Sequence, residues 1–478
     1  MKNRNIYIVL LLGVALFCSC KSSKDDEGNS KTEYEKCNEW IAGVMRSDYL
    51  WKSNIPADNK LDYTASPETF FYTLLSDKDG KHTSSKNYYY SYIETNKDYT
   101  SSKTINDDTN SYGVSFVRYS IVDKSGAAQD YEYDRVMYVL SGSPAQTAGL
   151  SRGDWILKVD GSDINIKNAD YKKLMSGASR TLTVLHKYSD AHTASITLPA
   201  STAVDNDPVF YSSVIDVNGK KVGYLVYNQF ASGPHDNYKD HTYDNELITL
   251  FNSKFKNVDE FILDLRYNPG GYLSCARLLS RLLVPESSKS ELFCKLTDAN
   301  GDITKYNFKD VDNNSDYPLG GFTSLNLQRL FVIMTGSTAS ASEATFNGLT
   351  PYMNIIKVGL TSEGKNVGSV NYDGDDKYAW DIQPITFYIT SAADNDYSAG
   401  ITPDNQKNEL NDEDNPNFLA LGDENEYLLK TALNIIGGNA QGNKALKSQN
   451  IVGTNNTELI PIGIVNPSKT KGLIKTTD

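Results

Sequence analysis

The chain is poor in histidine. It has five in 478 residues: His82, His186, His192, His235 and His241. None lies close in sequence to the serine-rich stretch 338–343, which weakens any reading built on a serine–histidine pair. Cysteine is equally scarce at five, with no C-x-x-C pair and no His-rich cluster beside it. Neither a structural zinc nor metal catalysis is expected, and nothing in the chain calls for a cofactor. Positive charge is in the minority: 47 Lys and Arg face 60 Asp and Glu, for a net charge of −13. No basic stripe is visible, so nucleic acid is excluded as a partner. The apolar run Ile6–Phe17 falls short of the ~20 residues that a membrane-spanning helix needs.

That run has another use. Lys2 and Arg4 precede it, and Phe17-Cys18-Ser19-Cys20 ends it. A basic start, an apolar core and a small residue before cysteine resemble the cleavage and lipidation site of bacterial lipoproteins. The resemblance implies a signal peptide over 1–20, with Cys20 acylated and holding the protein to a membrane. The alternative is a plain secretory signal in which Cys20 is incidental. An acidic tether, 21–32, follows and contains Lys21-Ser22-Ser23-Lys24-Asp25-Asp26-Glu27. It is similar to the export signal that carries some lipoproteins to the outer face of Gram-negative cells. The expected location is the bacterial cell envelope, as an outer-membrane lipoprotein, with its periplasmic or surface face left open. Cys37, Cys275 and Cys294 then remain. A Cys275–Cys294 bridge is open, and at least one thiol is left free.

The length suits roughly two to four domains. Residues 33–105 read as mostly helical: Cys37, Trp40, Ile41, Val44 and Met45 have helical spacing, and Pro67 sits at the first turn of a second helix. The stretch 88–108, rich in Tyr, Ser, Lys and Asn, reads as a loop. Residues 106–202 read as a small β domain, 205–436 as α/β, and 437–478 as a tail whose role is not legible. Within the β domain, SPAQTAGLSRGDWILKVDG (143–161) resembles the helix, Gly-Asp turn and strand of PDZ domains. That resemblance implies that Gly113, Val114, Ser115 and Phe116 offer backbone N–H groups to a peptide carboxylate, with the peptide adding as a strand.

The chemistry concentrates in the α/β region. Arg329–Met334 (RLFVIM) reads as a buried strand, Ser340 to about Leu349 as a helix, and Asn354–Leu360 as a second buried strand followed by Lys365. This is a β-α-β unit. Its crossover makes the strands parallel, so the helix start bearing Ser340 and the loop bearing Lys365 meet at one sheet edge. A third buried strand, Glu260–Arg266, runs into Tyr267-Asn268-Pro269-Gly270-Gly271. Its glycine N–H groups, with that of Ala341 at the helix start, suit an oxyanion. A buried lysine loses its proton more easily and can then accept one from a serine. The blander alternative is that Ser340-Ala341-Ser342-Glu343 is an S-x-x-E capping box and Lys365 a surface lysine.

Asp264-Leu265-Arg266 with Asn268-Pro269-Gly270-Gly271, then Thr338-Ala339-Ser340-Ala341-Ser342-Glu343, then Gly364-Lys365, resemble the C-terminal processing peptidases, the tail-specific serine proteases. The resemblance covers about 112–403 and keeps the order of PDZ domain then protease. It implies a multidomain α/β and β fold: a PDZ-like β domain, a ClpP/crotonase-like α/β protease core and a small helical N-terminal region. It implies Ser340 as nucleophile, Lys365 as general base and Glu343 in support, with Ala341 and the Gly270-Gly271 pair as oxyanion donors. Its substrates would be polypeptides, through unfolded C-termini. The family's Gly-Lys-Gly is Gly364-Lys365-Asn366 here. Ser369 stands where the family has a glutamine that orients the lysine, and is the expected substitute. Two other functions remain on the page: a protease-derived scaffold that binds peptides without cutting them, and a crotonase-type acyl-CoA enzyme, which export to the envelope disfavours.

Overall fold

The structure is a computed structural model that describes residues 31–83, 86–95, 110–123, 125–165, 170–186, 193–234, 237–313, 324–374, 377–411, 418–438 and 457–465. The signal segment, Cys20 and most of the tether lie outside them, as do His192 and His235.

Continuous apolar runs become strands buried on both faces. The central sheet runs in the order 209–217, 220–227, 260–264, 329–334, 354–359, 405–406. Its first pair is antiparallel and the rest are parallel. The register places Asp264 beside Ile333 and Met334 beside Gly359. The segments after Asp264, Met334 and Gly359 therefore leave the sheet at one edge. The period of two sorts the side chains. Leu263, Leu330, Val332 and Met334 pack with the helices Thr242–Ser253, Leu273–Leu283 and Ala341–Leu349. Ile262, Phe331 and Ile333 pack on the other face with the helix Tyr427–Ile436 and with Met137, Tyr138 and Trp155 of the PDZ-like domain.

A second sheet, in the order 303–307, 292–298, 385–390, 367–369, starts its last strand two residues beyond Lys365. The N-terminal region packs on it. Helices Glu33–Asp48 and Pro67–Thr73 share a core with Val367, Ile382 and Ile385. Part of the expected loop 88–108 is a strand, Tyr92–Thr95, paired with Trp380–Gln383.

The PDZ-like sheet runs 194–198, 180–185, 155–159, 128–139, 114–123, 457–465. Two sequence expectations shift. The helix over 169–175 is a 3-10 helix, Asp170–Met175. The helix expected from Asp236 starts at Thr242, and Asp236 lies outside the described residues. The Cys275–Cys294 bridge is not formed: all three described cysteines are free and buried. Cys275 sits in a helix and Cys294 in a strand of the second sheet, each filling core volume.

One charged cluster binds the domains together. Arg266 is fully buried and donates to Asp264 (2.7 Å), Glu409 (2.8 Å) and Glu426 (2.7 and 2.9 Å). Arg152 of the PDZ-like domain joins from the far side, donating to Glu409 Oε2 (2.9 Å), the Tyr267 hydroxyl (2.6 Å) and the Leu419 carbonyl (2.8 Å). Burial pushes the Glu426 carboxyl up, but the two guanidinium groups win and hold it below its usual range. Removing one partner of a buried ion cluster strands the others without water. Arg266→Ala is therefore expected to destabilise the protein by about 3–5 kcal/mol. A urea titration followed by tryptophan fluorescence checks it; an unchanged midpoint contradicts it.

Candidate active site

Ser340 ends the turn after the Arg329–Met334 strand and is the N-cap of the helix Ala341–Leu349. Its backbone has φ 63° and ψ −114°. A residue with a Cβ held there costs roughly 1–3 kcal/mol, and such strain persists only where the surroundings impose it. Ser340 Oγ is buried and makes no hydrogen bond. Of the capping box, the carboxylate half holds: Ser340 N–H donates to Glu343 Oε2 at 2.9 Å. A structural cap would use the hydroxyl; here the hydroxyl is left over.

Glu343 imposes the geometry. Its carboxylate is inaccessible to solvent and accepts four hydrogen bonds. Oε2 takes the N–H groups of Ser340 and Lys365 (2.8 Å). Oε1 takes Ser362 Oγ and the Gly364 N–H (2.7 Å). One oxygen thus joins the serine turn to the lysine loop. Burial raises the Glu343 carboxyl above its usual value, and the four donors oppose that rise.

Lys365 is 7% exposed. Burial lowers its ammonium to about 8, while the carboxylates of Asp79, Glu363 and Glu343 pull it up. Its Nζ lies 4.7 Å from the centre of the Tyr90 ring. Tyr90 belongs to the N-terminal region. Its N–H and that of Ser91 donate to the buried Asp79 at 2.9 and 3.0 Å, and its hydroxyl to Glu363 at 3.1 Å. Tyr88 and Lys86 bond the same Glu363. Because Ser340 Oγ has no partner and Lys365 faces Tyr90, the serine–lysine hydrogen bond is open in this structure.

The glycine turn closes over the serine. A Cβ on Gly270 would come within 2.8 Å of Ser340 Cβ and 3.1 Å of Ala341 N, so only glycine fits. Ala341 is the first helical residue and has no intrahelical acceptor for its N–H. Gly270 N–H is engaged by Asn268 Oδ1 at 2.9 Å. Phe230 N–H donates to Gly270 O and Tyr272 N–H to Phe230 O, so in this parallel bridge the Gly271 N–H points to the opposite side.

Ser369, the expected substitute for the family's glutamine, accepts a hydrogen bond from Gln383 Nε2 at 2.8 Å. A glutamine amide does reach this corner, but from the strand Trp380–Gln383. His241 pairs with Asp244 at 2.9 Å at the head of another helix. In the PDZ-like domain, Gly113 has φ +69° and donates its N–H to Ser111 Oγ at 2.9 Å, while Val114, Ser115 and Phe116 pair with the strand Ala128–Val139. The sequence reading missed Tyr90, Glu363, Asp79 and Gln383. Its only signal for them was the tyrosine-rich stretch after residue 88, which reads equally well as a loop.

A strained serine at a strand-to-helix turn, a buried lysine and a glycine turn lie at one sheet edge next to a PDZ-like domain. Comparison with known proteins identifies the family. Residues 221–406 match Peptidase family S41, 36–99 the Peptidase S41 N-terminal domain and 135–185 a PDZ domain. The crystal structure of a candidate S41 protease from Bacteroides fragilis NCTC 9343 shares 30% identity, with a TM-score of 0.68, covering 84% of this chain and 97% of that one. The chain belongs to peptidase family S41. It is 27% identical over 307 residues to a carboxyl-terminal-processing protease of Picosynechococcus, spanning 63% of this chain and 66% of the relative. It is 25% identical over 224 residues to the carboxy-terminal processing protease CtpB of Bacillus subtilis, spanning 47% and 42%. These alignments span less than two thirds of the relatives' own lengths.

The Glu363 carboxylate favours the ammonium form of Lys365. Glu363→Gln removes that charge and keeps an acceptor for the tyrosine hydroxyls. The pH midpoint for fluorophosphonate labelling of Ser340 should therefore fall below that of the wild type. A midpoint that rises or stays put contradicts the assignment of the field to Glu363.

Proposed function

We propose that the protein is a serine endopeptidase working through a Ser340–Lys365 dyad, on polypeptides engaged by the PDZ-like domain through unfolded C-termini. The observation that carries this reading is the Glu343 carboxylate, which takes the backbone N–H groups of Ser340 and Lys365 on one oxygen. Neutral Lys365 accepts the Ser340 Oγ proton as Oγ attacks the peptide carbonyl. The carbonyl oxygen becomes an oxyanion, held by the Ala341 N–H at the positive end of its helix and by a glycine N–H of the 270–271 turn. Lys365 returns the proton to the leaving amine and an acyl-enzyme remains on Ser340. Water, deprotonated by the same lysine, hydrolyses it and frees the hydroxyl. For the first step, Lys365 Nζ must turn from Tyr90 toward Ser340.

That open dyad also supports a second reading, a peptide-binding scaffold with little or no cleavage. A casein digest separates the two. Ser340→Ala and Lys365→Ala should each abolish cleavage with the fold intact, and Lys365→Arg should fail because guanidinium keeps its proton. Wild-type cleavage should rise with pH, with a midpoint near 8 and far below that of a free lysine. Near-wild-type digestion by Lys365→Ala would refute the dyad.

We further propose that the protein is anchored in the cell envelope by an acyl group on Cys20. The support is the order of basic, apolar and small residues before that cysteine. Cys20→Ala should move the protein from the membrane fraction to the soluble one. Membrane retention by the variant, with no acyl mass on the wild type, would count against anchoring.

A further inference from the structure

The PDZ-like sheet is completed by a strand far from it in sequence. Thr457–Val465 lies antiparallel on Val114–Asp123, with Thr457 opposite Asp123, Leu459 opposite Ile121 and Val465 opposite Phe116. The other side of Val114–Asp123 is taken by Ala128–Val139. The tail strand therefore fills the remaining side of Val114–Asp123, the strand that leaves the Gly113 turn.

Its direction matters as well. A peptide whose carboxylate is held by the Gly113–Phe116 turn must run antiparallel to the strand leaving that turn, with its C-terminal end at Phe116. The tail strand has that polarity: its residue numbers rise toward Phe116. It therefore occupies the same lane, in the same sense, as the polypeptide that the PDZ-like domain is proposed to capture.

The seat is built to be given up. Pro461 has no N–H to donate to the ladder, and the register slips between Pro461 and Gly463. Ile460 is 41% exposed. Covalent tethering compensates by giving the strand an effective concentration above that of a dilute free peptide.

We propose that the tail strand Thr457–Val465 is a resident, displaceable ligand of the PDZ-like edge, and that substrates compete with it. This rests on the reading of that edge as a peptide site and is independent of the catalytic dyad. It also names the chemistry of the competing ligand: an extended segment whose C-terminal part is apolar and uncharged, as Leu459–Val465 is in the tail itself.

The test compares the full chain with a chain ending at Gly438, using a fluorescent peptide of sequence TELIPIGIV with a free carboxylate. Anisotropy should show at least about tenfold tighter binding to the shortened chain, the figure for a site left free a tenth of the time. Ser120→Cys with Ile460→Cys, which face each other across the two strands, supplies a version that keeps the whole chain. Its oxidised form should lose peptide binding, and reduction should restore it. Equal affinity for the full, shortened and oxidised forms overturns the inference. Binding to none of them removes the peptide-site reading and the inference together. Loss of casein cleavage with this binding pattern intact faults the dyad alone.

Discussion

A single carboxylate with no access to water sets the geometry of the site. Glu343 could have been a surface residue in the first turn of a helix, favoured by the dipole and little else. Instead it lies inside and accepts donors from three places: its own helix start, Ser362, and the backbone of Gly364 and Lys365. A hydrogen bond to a charged group contributes about 1.5–3 kcal/mol. Four such bonds oppose the cost of burying the charge and of holding the strained backbone of Ser340. Strain, serine orientation and lysine position are thus consequences of one residue. A glutamine would present its NH2 to at least one backbone N–H whichever way it turned.

The lysine is prepared by a different part of the chain. Its low affinity for protons comes from burial, and the N-terminal region supplies much of the cover through Tyr90, held in place by Asp79 and Glu363. Ser340 and Lys365 therefore rest on separate supports: the central sheet positions one, and the second sheet with its helical cap tunes the other.

How much of this the sequence disclosed follows from the range of the interactions involved. After Arg329 the short run LFVIM is apolar on both faces, as a strand inside a sheet is, and the crossover rule then places its turn beside that of 354–359. Helix starts at Ser66 and Ser340 were legible from local capping patterns. What escaped was long-range. Tyr90 meets Lys365 only because Tyr92–Thr95 pairs with Trp380–Gln383, and no pattern within either segment announces that pairing. The same holds for Gln383 at Ser369 and for the tail strand on the PDZ-like sheet, whose Pro461 and Gly463 weaken any local strand signal. The 3-10 segment 170–175 has apolar spacing that does not distinguish it from an α-helix.

The Arg152–Arg266 cluster has a bearing on how the polypeptide can be cut up or recombined. Two cations and three anions share one dry volume, contributed by the PDZ-like domain, the central sheet and the segment around the final helix. No boundary through this volume leaves each side neutral and wetted. Excising the PDZ-like domain uncovers Glu409 and Tyr267; excising the final helix leaves Arg266 short of a counterion. The protease is thus not a detachable module carrying an accessory, and grafting either half onto another chain means transplanting the charges with it.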